Sequence, residues 1–333
     1  MKQPTITVIT SVPPVIPSRP IDGSDVGKAY RQACIDSWQR FGGRILSVNN
    51  NKEADAVRAA TKGIFICPVA SDGTAVAKRP LVLFDDLLHC AAQEETELIA
   101  LTNSDIFLAD AELLRKQAAG LKSGEVLVSR RVNVESLRNA SGATYKWGYD
   151  LFILRREDIA RLHRETTLFF GEPWWDYYFL SNLVLSGLSV VTTDSAHVLH
   201  LAHKEAYSSE RWLATGEFSL QTLRQLAEEG KYTEHPAVQH FIGYVINTSS
   251  LLPVKDVLLL AMRNFRALTL YHVMLCYKFC PQRKSPKEND LHFFSCALTA
   301  YAEITVNFGV SSRDRINKAC SELHEKMQLA AKS

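Results

Sequence analysis

Residues Leu98–Leu108 read LIALTNSDIFL, and the reading of this stretch decides the fold. An apolar run ends in three short polar residues, Asn103-Ser104-Asp105, and apolar character then resumes. The pattern predicts a buried strand over Leu98–Phe107. A strand apolar on both faces belongs in a parallel sheet covered by helices on each side. The upstream sequence repeats the motif: Thr5–Val12 is a β-branched run stopped by Pro13-Pro14. Gly27–Phe41 has helical spacing and is stopped by Gly42-Gly43. Arg44–Val48 predicts a strand, Lys52–Ala60 a helix, Ile64–Pro68 a strand and Leu81–Glu94 a helix. Alternation of this kind indicates an α/β fold.

In such sheets ligands bind beyond the carboxyl ends of the strands, which directs attention to the loops after Val12, Val48, Pro68 and Thr102. Asp105 ends a strand, where a carboxylate can hold a divalent cation against a diphosphate. In a tight turn the same residue would serve only as a cap. No GxGxxG follows the first strand and no GxxxxGK[ST] occurs, so dinucleotide dehydrogenases and P-loop kinases are poorly supported.

Downstream the pattern becomes irregular. Strands are predicted over Glu125–Asn133, Trp147–Leu154 and Ser189–Thr193, with a polar loop to Lys146 and a His-rich loop after Thr193. Phe169–Leu180 reads FFGEPWWDYYFL, placing Glu172 and Asp176 among aromatic rings. That mixture suits either a sugar pocket or a core. Were the stretch helical, the two carboxylates would share a face. Desolvation there would raise their pKa and suit a general base. His197, His200 and His203 recur at spacings of three, which fits neither HExxH nor a zinc finger but leaves ligand and structural roles open.

Composition narrows the class. Thirty-eight Lys and Arg against 36 Asp and Glu leave a net charge of +2, with no basic stripe for a nucleic-acid partner. Seven scattered cysteines read as reduced thiols. The N-terminus has no signal-peptide pattern, and no apolar run reaches the roughly 20 residues of a membrane span. These features predict a cytoplasmic chain, free or peripheral on the inner membrane face. After about residue 210 the sequence turns helical, giving a boundary between 1–212 and a helical region, 213–333. That region suits packing, homo-oligomerisation or contact with a membrane surface. Within it His272, Cys276 and Cys280 could form a zinc cluster, but their spacing fits known zinc sites poorly and cysteines on apolar helix faces usually fill space.

Five motifs in order carry a resemblance over residues 5 to about 212: Thr102-Asn103-Ser104-Asp105-Ile106, Ser129-Arg130-Arg131, Gly148-Tyr149-Asp150-Leu151-Phe152, Gly171 through Asp176, and His200-Leu201-Ala202-His203 followed by Tyr207. Together they resemble bacterial GT-A-type glycosyltransferases of the nucleotide-diphospho-sugar transferase superfamily. The resemblance implies a GT-A-type Rossmann-like mixed, mostly parallel sheet flanked by helices. It implies a nucleotide-sugar donor, a glycan or lipid-linked glycan acceptor, and a product of the surface polysaccharide or lipopolysaccharide type. Asp105 would be the last acid of a D-x-D element whose first acid is replaced by Asn103, with Ser104 between them. Ser11 would lie against the nucleotide. Asp176 would be the base, with Glu172 beside it. His200 or His203 would contact metal (Mn²⁺ or Mg²⁺) or phosphate, and Arg130 and Arg131 would meet the leaving diphosphate. An inverting displacement follows from having a base opposite the leaving group. Two other readings stand: a catalytically silent binding or scaffold relative, and a sugar nucleotidyltransferase. The last is disfavoured because Ser11–Asp22 holds one Arg and no glycine.

Overall fold

The first strand, ITVIT, is buried at every position, as a strand covered on both faces must be. In a computed structural model of the chain, residues 4–203 are described except 16, 22, 146–147 and 163–167, together with Thr215. Strands in chain order are β1 Ile6–Thr10, β2 Pro20–Ile21, β3 Ser24–Asp25, β4 Gly43–Asn50, β5 Phe65–Val69, β6 Leu98–Thr102 and β7 Phe107–Leu108. They continue with β8 Glu125–Ser129, β9 Val132–Ser136, β10 Asn139–Thr144, β11 Leu151–Arg155, β12 Ser189–Thr192 and β13 Val198–Leu201. The helices are α1 Gly27–Phe41, α2 Ala54–Ala60, α3 Thr74–Ala77, α4 Phe84–Ala92, α5 Ala111–Ala119 and α6 Trp175–Leu185.

Seven strands form the main sheet in the order β12-β8-β11-β6-β1-β4-β5. Every neighbouring pair is parallel except those of β11, which runs antiparallel to both β6 and β8. The alternation of elements predicts a sheet flanked by helices, and the mixed, mostly parallel order is the one the resemblance implies. Chain direction across the sheet reverses at β1: β4 lies on one side of it and β6 on the other. The carboxyl ends of β1 and β6 therefore flank the switch point, where an open α/β sheet leaves a crevice.

The second sheet, β10-β9-β13-β7, begins where the first one stops. Two expected strands divide there. LIALTNSDIFL gives β6 to the main sheet, turns at Ser104-Asp105, and gives β7 to the second sheet. Glu125–Asn133 likewise splits into β8 and β9, with Arg130 and Arg131 at the crossing. The polar stretch before Lys146 forms β10 against β9, and the His-rich loop contains β13. Each break falls where the chain leaves one sheet for the other.

Helix α1 packs Tyr30, Cys34, Ile35, Trp38 and Phe41 into the main core. It ends where a side chain at Gly42 would sit 3.1 Å from the Ile6 carbonyl, and Gly43 follows at φ +82°, a conformation that favours glycine. Helix α5 was not anticipated; Asp110 caps it by accepting from the Leu113 N–H at 2.9 Å. On the other side of the sheet Phe84, Phe152, Phe170, Trp175 and Phe179 interlock, with ring centroids as close as 4.6 Å. The aromatic stretch around Asp176 is thus core at Phe170, Trp175 and Phe179, not a sugar platform.

No helix among the described residues is long and apolar enough to cross a membrane. Tyr207, the 212/213 boundary, the C-terminal helices and the His272–Cys280 trio lie outside the described residues.

Trp38 links the core to the polar turn, since its Nε1–H donates to the Ile106 carbonyl at 2.8 Å. Trp38→Phe keeps most of the apolar contact and leaves that carbonyl buried without a donor, at a cost of about 1–3 kcal/mol. A lower urea midpoint for the variant is the expected result; an unchanged midpoint would show that the bond contributes nothing.

Candidate functional site

Three segments distant in sequence converge at the switch point: the loop after β1, the turn after β6, and the end of β13. Their meeting point is the Asp105 carboxylate. Its Oδ2 lies 2.9 Å from Arg19 Nη2, 3.2 Å from His200 Nε2 and 3.3 Å from His203 Nε2. Arg19 and His200 are buried, each with 5% of the side chain exposed, whereas Asp105 at 29% and His203 at 31% reach solvent. The cluster is closed behind and open in front.

Backbone contacts fix these groups. Tyr30 Oη donates to the Asp105 carbonyl at 2.7 Å and accepts from the Leu201 N–H at 2.8 Å, tying the turn to β13. Arg19 Nη1 donates to the Leu201 carbonyl at 2.5 Å, and its guanidinium lies 4.8 Å from the centre of the Tyr30 ring. Burial tends to raise the Asp105 carboxyl, but the two histidines and Arg19 outweigh it and hold the group well below the ordinary carboxylate range. Burial is also the largest influence on His200 and lowers it below the ordinary imidazole value, despite the carboxylate beside it. One anion is therefore shared by a guanidinium and two imidazoles.

Around this centre runs a polar network. His200 Nδ1 is 3.0 Å from Asn133 Oδ1, which also accepts from Arg131 Nε at 3.0 Å. Arg131 Nη1 donates to Asp150 Oδ1 at 2.7 Å, and Asn103 Nδ2 donates to the same oxygen at 2.8 Å. Arg131 is thus committed to an internal ion pair with Asp150, which is 2% exposed. Arg130 lies over the Tyr149 ring and donates to its hydroxyl at 3.3 Å. Ser104 sits half-buried in the turn itself. Ser11 is half-buried in the loop after β1, and the backbone next to it is locked. The Val12 N–H donates to Ser47 Oγ, Ser47 to Asn49 Oδ1, and Asn49 Nδ2 back to the Val12 carbonyl.

The carboxylates of the aromatic stretch separate. Glu172 sits in the turn before α6, so the shared helical face expected for it and Asp176 does not form. It is buried at 3% exposure and paired with Arg79 at 3.1 Å. Asp176 occupies the first turn of α6, and its Oδ2 accepts from the Tyr149 N–H at 2.8 Å. A side chain at Gly148 would come within 2.8 Å of that oxygen, so only glycine lets the carboxylate approach the strand. Trp174, just before the helix, has φ +76°, a strained value for a non-glycine residue. Burial raises the Asp176 carboxyl to about 7, and the nearby Asp150 charge adds to the effect.

Sequence reading missed Arg19, Tyr30, Asn133 and Asp150 as members of the site. Arg19 had a signal, being the one basic residue in the loop after the first strand. Asp150 had one too, within its Gly-Tyr-Asp motif. Tyr30 and Asn133 had none. A concavity of about 520 Å³ lined by Glu94–Glu97, Arg155 and Arg156 lies at the opposite end of the strands, where β6 begins. It holds neither the histidines nor Asp105.

No protein-family model matches the chain, and no curated protein matches it in sequence. Among solved structures it is similar to the mannosyltransferase PcManGT from Pyrobaculum calidifontis, in complex with GDP-Man and Mn²⁺. That match has 11% identity and a TM-score of 0.45, and covers 99% of this chain and 85% of that one. It is also similar to the inositol-1-phosphate CTP transferase from T. maritima, with 12% identity and TM-score 0.37, covering 68% of this chain and 98% of that one. A nucleotidyl transferase from Methanothermobacter thermautotroptrophicus gives 13% and 0.38, with 66% and 100% covered. Scores this low assign no activity to the present chain, whose chemistry has to be read from its own residues.

Proposed function

We propose that this chain is a nucleotide-sugar-dependent glycosyltransferase that moves a sugar onto a hydroxyl of a glycan or lipid-linked glycan, with inversion. The observation that carries the reading is the convergence of Asp105, His200 and His203 at the switch point of the sheet. Their ligand atoms lie within 4.8 Å of one another and come from two different strand ends. Two imidazole nitrogens and a carboxylate oxygen fit a divalent cation, and the nitrogen donors suit Mn²⁺ better than Mg²⁺, which prefers oxygen. Bound there, such an ion supplies Lewis-acid neutralisation of a departing diphosphate.

The protein's own groups divide the remaining work. The locked backbone at Ser11-Val12 presents a rigid edge to the nucleotide, with Asn103 and Ser104 beside it. Arg19 adds fixed positive charge next to Asp105 and Arg130 adds more at the neighbouring crossing, while Arg131, neutralised by Asp150, supports the network behind His200. Asp176, kept partly protonated by its surroundings, takes the proton from the acceptor hydroxyl as the bond to the sugar forms. Glu172, held by Arg79, sets the turn that delivers Asp176. Residues 213–333 serve packing, self-association or attachment to the inner face of a membrane, a reading from sequence pattern alone.

The Arg19–Asp105 pair favours a second reading, a catalytically silent binding or scaffold protein in which that ion pair is structural. Calorimetry with nucleoside diphosphates, with and without Mn²⁺, separates the two. Diphosphate binding that strengthens with Mn²⁺, at least tenfold more than with Mg²⁺, and disappears in Asp105→Asn is the expected result. Binding indifferent to metal and to Asp105, without donor hydrolysis or transfer, would favour the scaffold.

The base assignment makes a separate prediction. Asp176 acts as base only when ionised, and its ionised fraction grows as pH rises through about 7. Transfer measured as kcat/KM should climb about tenfold per pH unit below 7 and level off above it. Asp176→Asn should cost roughly 100-fold or more and flatten the profile. A variant retaining near-normal transfer would remove Asp176 from the chemistry.

A further inference from the structure

Asn133 stands on β9 directly beside His200 on β13, the two being register partners in a parallel pair. Their side chains project together from the same face, and Asn133 Oδ1 meets His200 Nδ1 at 3.0 Å. The other neighbour of that oxygen, at 3.0 Å, is Arg131 Nε. A guanidinium has donors only, so Arg131 fixes which end of the amide faces the site: the oxygen. An amide oxygen has no hydrogen to give, and His200 Nδ1 must therefore carry one. Its other nitrogen, Nε2, faces the ionised Asp105 Oδ2 at 3.2 Å, which has no hydrogen to give either, so a cation shared with Asp105 would take the place of any hydrogen on Nε2.

The support extends further back. Arg131 is held by Asp150 at 2.7 Å, and Asp150 Oδ1 also accepts from Asn103, two residues before Asp105. A chain of contacts thus runs from Asn103 through Asp150, Arg131 and Asn133 to His200. It links the turn bearing Asp105 to the strand bearing the histidine.

We propose that Asn133 is a positioning residue that keeps a hydrogen on His200 Nδ1, so that Nε2 is the nitrogen offered to a divalent cation shared with Asp105 and His203. The role rests on the metal-binding reading given above. A ring nitrogen bonded to a fixed acceptor is the usual means of setting both the tautomer and the orientation of a liganding imidazole.

Two readouts on the full-length chain test this. Long-range ¹H–¹⁵N correlation spectra of the metal-free protein report which nitrogen of His200 bears hydrogen. The wild type should show hydrogen on Nδ1, whether or not Nε2 also carries one opposite Asp105, and Asn133→Leu should lose the Nδ1 hydrogen and leave Nε2–H alone. Mn²⁺ affinity, followed by electron paramagnetic resonance of the free ion, should fall about 10- to 100-fold in Asn133→Leu. Asn133→Asp retains an acceptor oxygen and should stay within a few-fold of wild type. A wild type without hydrogen on Nδ1, an Asn133→Leu affinity equal to wild type, or equal losses in the Leu and Asp variants would each overturn the positioning role alone. A wild type that binds no Mn²⁺ would overturn the metal reading and the role with it.

Discussion

The site depends on one shared anion. Asp105 turns a single carboxylate oxygen towards a buried guanidinium and two imidazoles, and the three partners arrive from sequence positions 86, 95 and 98 residues away. Partly buried charge of this kind survives only when paired, because desolvation of an isolated carboxylate costs more than the fold can offset. Removing one partner from a buried ion pair typically costs about 3–5 kcal/mol, so the pairing also fastens the loop after β1 to the second sheet. Any cation binding here would therefore draw on the same contacts that hold the architecture. A cation entering the cluster would compete with Arg19 for Asp105, which makes the balance between these two positive partners the controlling variable.

A second carboxylate, Asp176, is set apart by its surroundings. Asp105 is flanked by positive and hydrogen-bonding partners and stays ionised; Asp176 is desolvated by burial with Asp150 nearby and is raised to about 7. In the proposed reaction this difference would let Asp105 stay a fixed anion while Asp176 accepts a proton near neutral pH. The separation is built by packing: Gly148 allows the close approach to β11's leading residues, and Phe152, Trp175 and Phe179 exclude water behind the helix.

Much of this was legible in the sequence where the determinants are local. Helix α1 was readable because its apolar spacing and its Gly42-Gly43 stop lie within the element, and β1 and β6 because strands buried on both faces read as continuous apolar runs. The breaks after Thr102 and Ser129 were not readable, since a chain passing from one sheet to another keeps its apolar character on both sides of the turn. Strand β13 read as a loop because a histidine-bearing segment is buried only through partners far away in sequence. His200, Asp105 and Asp176 stood out by residue type and motif. Tyr30 and Asn133 did not: their roles come from contacts 75 and 67 residues distant, on which local sequence is silent.

The account turns on whether the Asp105 oxygen and the two histidine nitrogens take up a metal ion together with a diphosphate. Anomalous diffraction at the manganese edge, from crystals grown with Mn²⁺ and a nucleoside diphosphate, tests this most directly. The account predicts a single strong peak within bonding distance of Asp105 Oδ2, His200 Nε2 and His203 Nε2, with the diphosphate beside it at the ends of β1 and β6. A diphosphate bound elsewhere, or a metal peak remote from Asp105 while the Arg19 pair stays intact, would contradict it.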